Sequence, residues 1–151
     1  MGVGMCGWFA GHRPQDGLLH KDKTTMKIIS SPEHQALESP AVITLANDAD
    51  PRTLDLSGVA RIDLQFPKFT DGRAYSQAFL LRRRLGFSGE LRATGDVLID
   101  QLVQMQRTGF DVAVLRDGVD ASAAQRQFER FAGFYQGSAV ETKPQFAVNN
   151  R

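Results

Sequence analysis

Apolar residues along the chain follow two different periodicities, which together predict alternating strands and helices. Four short segments are rich in β-branched and aliphatic residues and have the length of strands, with turn-forming residues on their flanks. They span 41–48, 59–66, 89–95 and 110–116. Pro67 cannot donate to a strand ladder, so the second strand is expected to end before it.

Helices are predicted where apolar residues recur every three or four positions. The first such segment spans 72–87, and the second spans 97–108 and ends at Gly109, a residue suited to a left-handed helix terminus. Asp96 directly precedes the second helix and Asp120 precedes a last one, so both aspartates are expected to be N-caps.

The order of these segments predicts the fold class. Strands that alternate with helices of about 12 residues indicate βαβ units and parallel strands. We therefore expect an α/β fold with an open, mostly parallel sheet of about four strands, Rossmann-like or similar to part of a (β/α) barrel. A single α/β domain is expected over 26–137, a disordered extension over 1–25 and a flexible tail over 138–151. A sheet face with few helices would favour a homodimer.

Composition and charge exclude several classes of function. The 151 residues carry a formal net charge of +1, which is unlike the usual cationic nucleic-acid binder. No segment approaches the roughly 20 apolar residues of a membrane span. The single cysteine, Cys6, fits a reducing compartment. We therefore expect a cytoplasmic protein that has neither nucleic acid nor membrane as a partner.

The positions of histidine and cysteine limit the chemistry expected of the predicted domain. His12, His20, His34 and Cys6 all lie in the first quarter of the chain, and none follows them from Gln35 onward. Metal sites built on imidazole or thiolate, and nucleophiles that depend on histidine, are therefore not expected in that body. The glycines form neither GxGxxG nor a P-loop, so no cofactor is evident and no metal site is predicted.

Charged residues cluster where the predicted strands end, which is where parallel sheets bind ligands. Lys68, Arg73 and Arg116 would hold an oxyanion, and Tyr75 and Asp71 would transfer protons. The alternative is structural: the aspartates cap helices, and the arginines pair with those aspartates. The candidate site for an anion or a partner consists of Lys68, Thr70, Asp71, Arg73, Tyr75, Arg92, Asp96 and Arg116.

Arg92 and a run of three arginines have structural explanations as well. Arg92 lies in a strand expected to be buried on both faces, so an ion pair with Asp71 or Asp111 is favoured over a ligand contact. The run of three lies near the C-terminal end of the first predicted helix, where positive charge interacts favourably with the helix dipole. It consists of Arg82, Arg83 and Arg84. A solvated helix end is favoured over docking on an acidic partner such as a ferredoxin or flavodoxin.

One long block of the chain carries a family signature. The block, 66–116, consists of FPKFTDGRAYSQAFLLRRRLGFSGELRATGDVLIDQLVQMQRTGFDVAVLR. It resembles a bacterial family, the domain of unknown function numbered nine hundred and thirty-four, whose pattern is FPxFTDGRxYS followed by LLRxRxGFxGELRAxGDVLxDQLxxMxRxGFD. The likeness extends more loosely over 26–135. The matching positions are Phe66, Pro67, Phe69, Thr70, Asp71, Gly72, Arg73, Tyr75, Ser76, Arg82, Arg84, Gly89, Glu90, Arg92, Gly95, Asp96, Asp100, Gln101, Arg107 and Asp111.

This resemblance implies a role in sulfur metabolism. Members are described as oxidoreductases of sulfite reduction and are encoded beside siroheme sulfite reductase. The implied function is an accessory protein of assimilatory sulfite reduction that acts with that enzyme or with its ferredoxin- or flavodoxin-type donor. The alternative is a small oxidoreductase, or an anion- or cofactor-binding enzyme, that uses the strand carboxyl ends. Many members have Cys where this chain has Thr108, so a thiol there is not essential to a shared activity.

Overall fold

Within residues 26–35, 41–130 and 134–148, which the computed structural model describes, five parallel strands form one open sheet. The strands are β1 (Lys27–Ser30), β2 (Val42–Leu45), β3 (Arg61–Phe66), β4 (Glu90–Gly95) and β5 (Val112–Leu115). Their order across the sheet is β1-β5-β4-β3-β2, and every neighbouring pair is parallel. The predicted α/β class with an open, mostly parallel sheet is confirmed.

The strand that sequence patterning missed is β1, so the expected sheet of four strands becomes one of five. Its four residues, KIIS, are too few to show alternation, and only their pairing with β5 makes them a strand. β1 and β2 are consecutive in the chain, yet they lie at opposite edges of the sheet.

The helices are shorter than the apolar pattern predicts. The structure has α1 (Ser31–Gln35), α2 (Arg73–Arg83), α3 (Leu102–Thr108), α4 (Ala121–Glu129) and α5 (Gln145–Val148), with 3-10 turns at Pro51–Thr53 and Ile99–Gln101. The single helix predicted over 97–108 is wrong in its first half, which instead approaches α3 through one of those turns. The cap of α4 is confirmed, because the Asp120 carboxylate accepts from the Ser122 backbone N–H at 2.8 Å.

One face of the sheet carries the main apolar core and is covered by α2, α3 and α4. The alternating residues Ile62, Leu64 and Phe66 of β3 point to this face and are essentially inaccessible to solvent. The helices meet them with small and aliphatic side chains, Ala74, Ala78, Leu81, Leu102, Met105 and Ala124. Burial of each large apolar side chain contributes about 1.5–3 kcal/mol, so this face supplies most of the stability.

The opposite face of the sheet is polar near its centre and apolar toward β1. Arg61 and Asp63 of β3 and Arg92 of β4 are buried there, although all three are charged. On the β5 and β1 side, Ile29, Val112 and Val114 form a second, smaller apolar cluster. Among the described helices, only α1 brings a side chain onto the polar part, where His34 contacts Arg92 and Asp63.

Arg82, near the end of α2, binds the edge of the sheet at which the strands begin. Its guanidinium donates to three backbone carbonyls, at 2.9 Å to Gly109, 2.7 Å to Phe87 and 2.8 Å to Gly89, and pairs with the Asp111 carboxylate at 2.5 Å. Only 12% of the side chain is exposed. The expected solvated helix end is therefore wrong for Arg82, because helix geometry turns it inward, while Arg83 and Arg84 are exposed.

The turn that precedes β5 is shaped to receive this arginine. Gly109 ends α3 with a left-handed φ of 106°, and a Cβ at this position would lie 2.5 Å from Cγ of Arg82. Asp111 accepts from the Leu91 backbone N–H at 3.0 Å as well as from Arg82. Burial lowers the pKa of the Arg82 guanidinium, and the neighbouring Asp111 opposes that effect.

The predicted domain limits are partly beyond the described residues. The extension over 1–25 lies outside them, so the expected disorder there stays a prediction. The tail contains α5 and contacts the domain, since the Ala139 N–H donates to the Arg107 carbonyl at 2.9 Å. The limits at 26–137 likewise stay a prediction.

Arg82→Met is expected to destabilise the protein by about 3–5 kcal/mol, because it leaves the Asp111 carboxylate without this charged partner and three carbonyls without these donors. The free energy of unfolding in urea measures the loss. Arg83→Met is the matched control, since Arg83 is exposed on the same helix turn. Equal stability of the two variants would contradict the role assigned to Arg82.

Candidate functional site

A polar cleft of about 670 Å³ opens on the second face of the sheet, at the carboxyl ends of β3 and β4. Its position is the one that parallel α/β sheets use for ligands, and its volume falls in the range of small-molecule sites. The described residues that line it are His34, Thr44, Asp63, Gln65, Phe66, Pro67, Thr94, Gly95, Asp96 and Arg116.

Strand register arranges most of this lining in three levels. Thr44 and Asp63 are Cα partners at the inner level, and Gln65 and Thr94 are partners at the middle level. Asp96 and Arg116 follow β4 and β5 and form the outer level, at the rim. Because side chains on one face repeat every two residues, successive levels are about 6–7 Å apart.

The inner end of the cleft is a charged cluster around His34. Nδ1 of His34 lies 3.3 Å from Nη1 of Arg92, and Nε2 lies 3.6 Å from Oδ2 of Asp63. Arg61 in turn pairs with Asp63 at 3.0 Å, and Arg92 pairs with Glu90. The expected partner of Arg92, Asp71 or Asp111, is therefore wrong: Asp111 binds Arg82 and Asp71 binds Arg73, while Glu90 lies on the same face of β4 as Arg92.

His34 brings an imidazole to the sheet, which the sequence analysis did not predict. It lies early in the sequence, yet α1 follows the edge strand β1 and carries His34 back over β3 and β4. A guanidinium can only donate hydrogen bonds, so its approach to Nδ1 makes that nitrogen the acceptor. Nε2 then carries the proton of the neutral ring and is directed toward the Asp63 side of the cleft.

Asp96 ties together the loops at the carboxyl edge of the sheet. One carboxylate oxygen accepts from the Phe69 backbone N–H at 3.0 Å, and the other pairs with Nη2 of Arg116 at 2.6 Å. It makes no capping bond, since the turn at Ile99–Gln101 begins at Leu98 without one. The predicted N-cap is therefore wrong, because this carboxylate is already occupied by the loops that follow β3 and β5.

Asp96→Asn is expected to lower the free energy of unfolding by about 1 kcal/mol, because the amide loses the charge-assisted bond to Arg116. If Asp96 were an N-cap, Asn would replace it without loss. Asp120→Asn is the control, since Asp120 does cap α4. Urea unfolding of Asp96→Asn, of Arg116→Met and of the variant that carries both changes gives the coupling energy. No coupling between Asp96 and Arg116 would contradict the role assigned to this ion pair.

The predicted loop residues lie beside the cleft rather than inside it. Asp71 accepts from the Arg73 backbone N–H at 3.1 Å, but the N-cap of α2 is Gly72, so the expected N-cap at Asp71 is wrong by one residue. The same carboxylate binds the Arg73 side chain at 3.0 Å and Asn47 at 2.5 Å, and these contacts lower the pKa of Asp71. Lys68 and Thr70 are exposed on this loop.

Tyr75 belongs to an aromatic cluster on the core side of the sheet. Its ring meets that of Phe66 edge-on at 5.2 Å and that of Phe110 at 6.3 Å. Burial, aided by the negative charge of Asp100, raises the pKa of Tyr75 to about 12. A phenol with that pKa stays protonated at neutral pH, and its role in proton transfer stays a prediction.

Tyr75→Phe is expected to remove a loss of stability at alkaline pH. The folded-state pKa of about 12 exceeds the usual 10.0, so the contribution of the protonated phenol is complete below pH 10 and disappears as the pH rises through 12. Urea unfolding at pH 9 and above compares the two proteins. Parallel pH curves for wild type and Tyr75→Phe would contradict the shifted pKa.

Of the eight predicted site residues, the structure places Asp96 and Arg116 in the cleft and Arg92 behind it, against His34. The polar cleft residues that sequence reasoning missed are His34, Thr44, Asp63 and Gln65, and Thr94 lies at a predicted strand end but was not part of the candidate site. A signal for several of them was present. In RIDLQF and ELRATG every second residue is polar, which predicts a strand with one polar face rather than one buried on both.

Charges in and behind the cleft are largely balanced. Asp63 pairs with Arg61, Glu90 pairs with Arg92, and Asp96 pairs with Arg116. The described residues contain no group of three or more side chains suited to hold a metal ion. None of the described helices is long and apolar enough to cross a membrane.

Comparison with known proteins assigns a family. A model of a bacterial protein family of unknown function, DUF934, matches residues 42–146, which include β2 to β5 and α2 to α4. The chain belongs to this family. No curated protein matches the chain. No solved structure matches it either. The family assignment therefore confirms the resemblance carried by the block 66–116, and it leaves the activity to be argued from the molecule itself.

Proposed function

We propose that this chain is an accessory protein of assimilatory sulfite reduction that docks on an acidic partner through the outer side of α2. The partner would be siroheme sulfite reductase or its ferredoxin- or flavodoxin-type electron donor. The resemblance to a family described in terms of sulfite reduction supports the pathway. The observation that carries the docking is the composition of α2, which has exposed cations, an exposed aromatic side chain and no acidic residue.

Helical spacing places two of these groups side by side: Phe79 and Arg83 are four residues apart on α2 and both are exposed. Arg73 is exposed at the start of the helix, and Arg84 and Leu85 are exposed just beyond its last turn. Phe79 keeps 43% of its surface accessible although it is a large apolar residue. Within the described residues neither Arg83 nor Arg84 forms an ion pair, whereas Arg73 is paired with Asp71. An unpaired guanidinium therefore neighbours an exposed aromatic ring, and a second follows at the end of the helix.

The residue types on this surface are those of protein–protein interfaces. Arginine and aromatic residues are enriched where proteins bind one another, since a ring provides desolvated area and a guanidinium provides directional donors. Opposite charge on the partner would steer the encounter and set the orientation. Electron carriers of the ferredoxin and flavodoxin type fit this requirement if they present carboxylates to the surface.

The test is binding of the purified chain to sulfite reductase holoenzyme and, separately, to its donor, by calorimetry at low and moderate salt. We expect micromolar or tighter affinity for one of them, which falls as salt rises. Arg83→Glu with Arg84→Glu is expected to weaken binding by at least about tenfold, since like charges now face each other. Absence of binding to both proteins would refute the proposal.

A matched control separates a local surface from overall charge. Arg126→Glu with Arg130→Glu makes the same change in net charge on exposed positions in and just beyond α4. This variant should bind as the wild type does. In cells, a deletion strain that grows on sulfide but on neither sulfate nor sulfite would support the role in sulfite reduction, and normal growth on sulfite would contradict it.

A further inference from the structure

The cleft on the second face of the sheet is a different surface from α2, and its chemistry points to a small molecule. Its lining combines one imidazole, two carboxylates, one guanidinium, two hydroxyls and one amide within about 670 Å³. The strand register places these groups at three depths. The combination of groups at each depth determines which ligand would fit.

The inner level offers a donor beside an acceptor. Nε2 of His34 and Oδ2 of Asp63 are 3.6 Å apart, which is too far for a hydrogen bond between them, and both residues line the cleft. Since Arg92 occupies Nδ1, the Nε2 proton is available to a ligand oxygen. A hydroxyl group both accepts and donates, so it can satisfy this imidazole and this carboxylate together.

The middle level has polar side chains but no charged ones. Gln65 makes no side-chain hydrogen bond within the described residues and is exposed, and the same holds for Thr44 at the inner level. The Thr94 hydroxyl donates to the Leu64 carbonyl at 3.2 Å, which leaves its own oxygen free to accept. The hydroxyl of Thr94 and the amide of Gln65 match further ligand hydroxyls better than they match an apolar or strongly charged group.

The rim suits an anion better than the inner levels do, because its cation is exposed. The cations near the inner level, Arg61 and Arg92, are buried behind the cleft and paired with carboxylates, so an oxyanion there would meet Asp63. At the rim Arg116 uses only Nη2 for Asp96, and 63% of its side chain is exposed. Its other donors make no hydrogen bond within the described residues, and a guanidinium can bind phosphate oxygens in pairs.

We propose that the cleft binds a sugar phosphate unit, free or as part of a nucleotide, with its hydroxyls at His34 and Asp63 and its phosphate at Arg116. The sugar extends inward past Thr44, Gln65 and Thr94. This inference is independent of the docking through α2, which lies on the other face of the sheet, so Arg83→Glu with Arg84→Glu should leave the binding intact.

The test uses four probes on the full chain: ribose 5-phosphate, AMP, ribose and inorganic phosphate, each by calorimetry and by thermal unfolding. We expect the first, the second or both to bind and to raise the Tm, and ribose and phosphate to bind at least about tenfold more weakly. Binding of AMP alone would identify a nucleotide site. Failure of both phosphorylated probes at millimolar concentration, or inorganic phosphate binding as tightly as they do, would overturn the proposal.

Variants locate the binding in the cleft. Thr44→Val and Gln65→Met remove exposed hydrogen-bonding groups with little change of shape, and each should weaken ribose 5-phosphate or AMP by about tenfold. Arg116→Met should remove the preference for the phosphorylated probes over ribose. Arg126→Met, on α4, is the control and should bind as the wild type does. Unchanged affinity in all three cleft variants would show that the molecule binds elsewhere.

Discussion

The contact between Arg82 and Asp111 sets the geometry of the edge at which the strands begin. One guanidinium joins the end of α2, the approach to β4 and the turn before β5, through three carbonyls and one carboxylate. Asp111 also accepts from the backbone of Leu91, so the two central strands are fixed relative to each other. A charge can be buried there because it is paired and its donors are used.

Asp96 connects the loops at the other end of the strands, where the strands finish. It binds the loop after β3 through the Phe69 N–H and the residue after β5 through Arg116, while Gln101 donates to the Phe69 carbonyl at 2.8 Å. Two polar clusters, one where the strands begin and one where they end, therefore connect β3, β4 and β5. Several residues of the family signature belong to these clusters, so much of that signature is explained by the fold.

Sequence periodicity predicted the α/β class, four of the five strands and the approximate positions of α2, α3 and α4, because those features depend on local spacing. It failed where a residue acts over a distance. Asp96 precedes a helical pattern and has the chemistry of a cap, yet the stronger competing partner, Arg116, is supplied by the end of another strand. His34 was set aside for its position early in the chain, yet α1, which follows β1, brings it into contact with β3 and β4.

The second face of the sheet buries charged residues that add little to stability. A parallel sheet gains most when both faces bury apolar residues, but here Arg61, Asp63 and Arg92 occupy the centre of one face. Buried ion pairs contribute less to stability than apolar packing of the same volume, since desolvation offsets their attraction. Because α2 to α4 already provide a core on the other face, the polar face can be specialised. Its charged residues contact His34 and line a cleft. The inner part of that cleft has groups that match hydroxyls, and the rim has a cation.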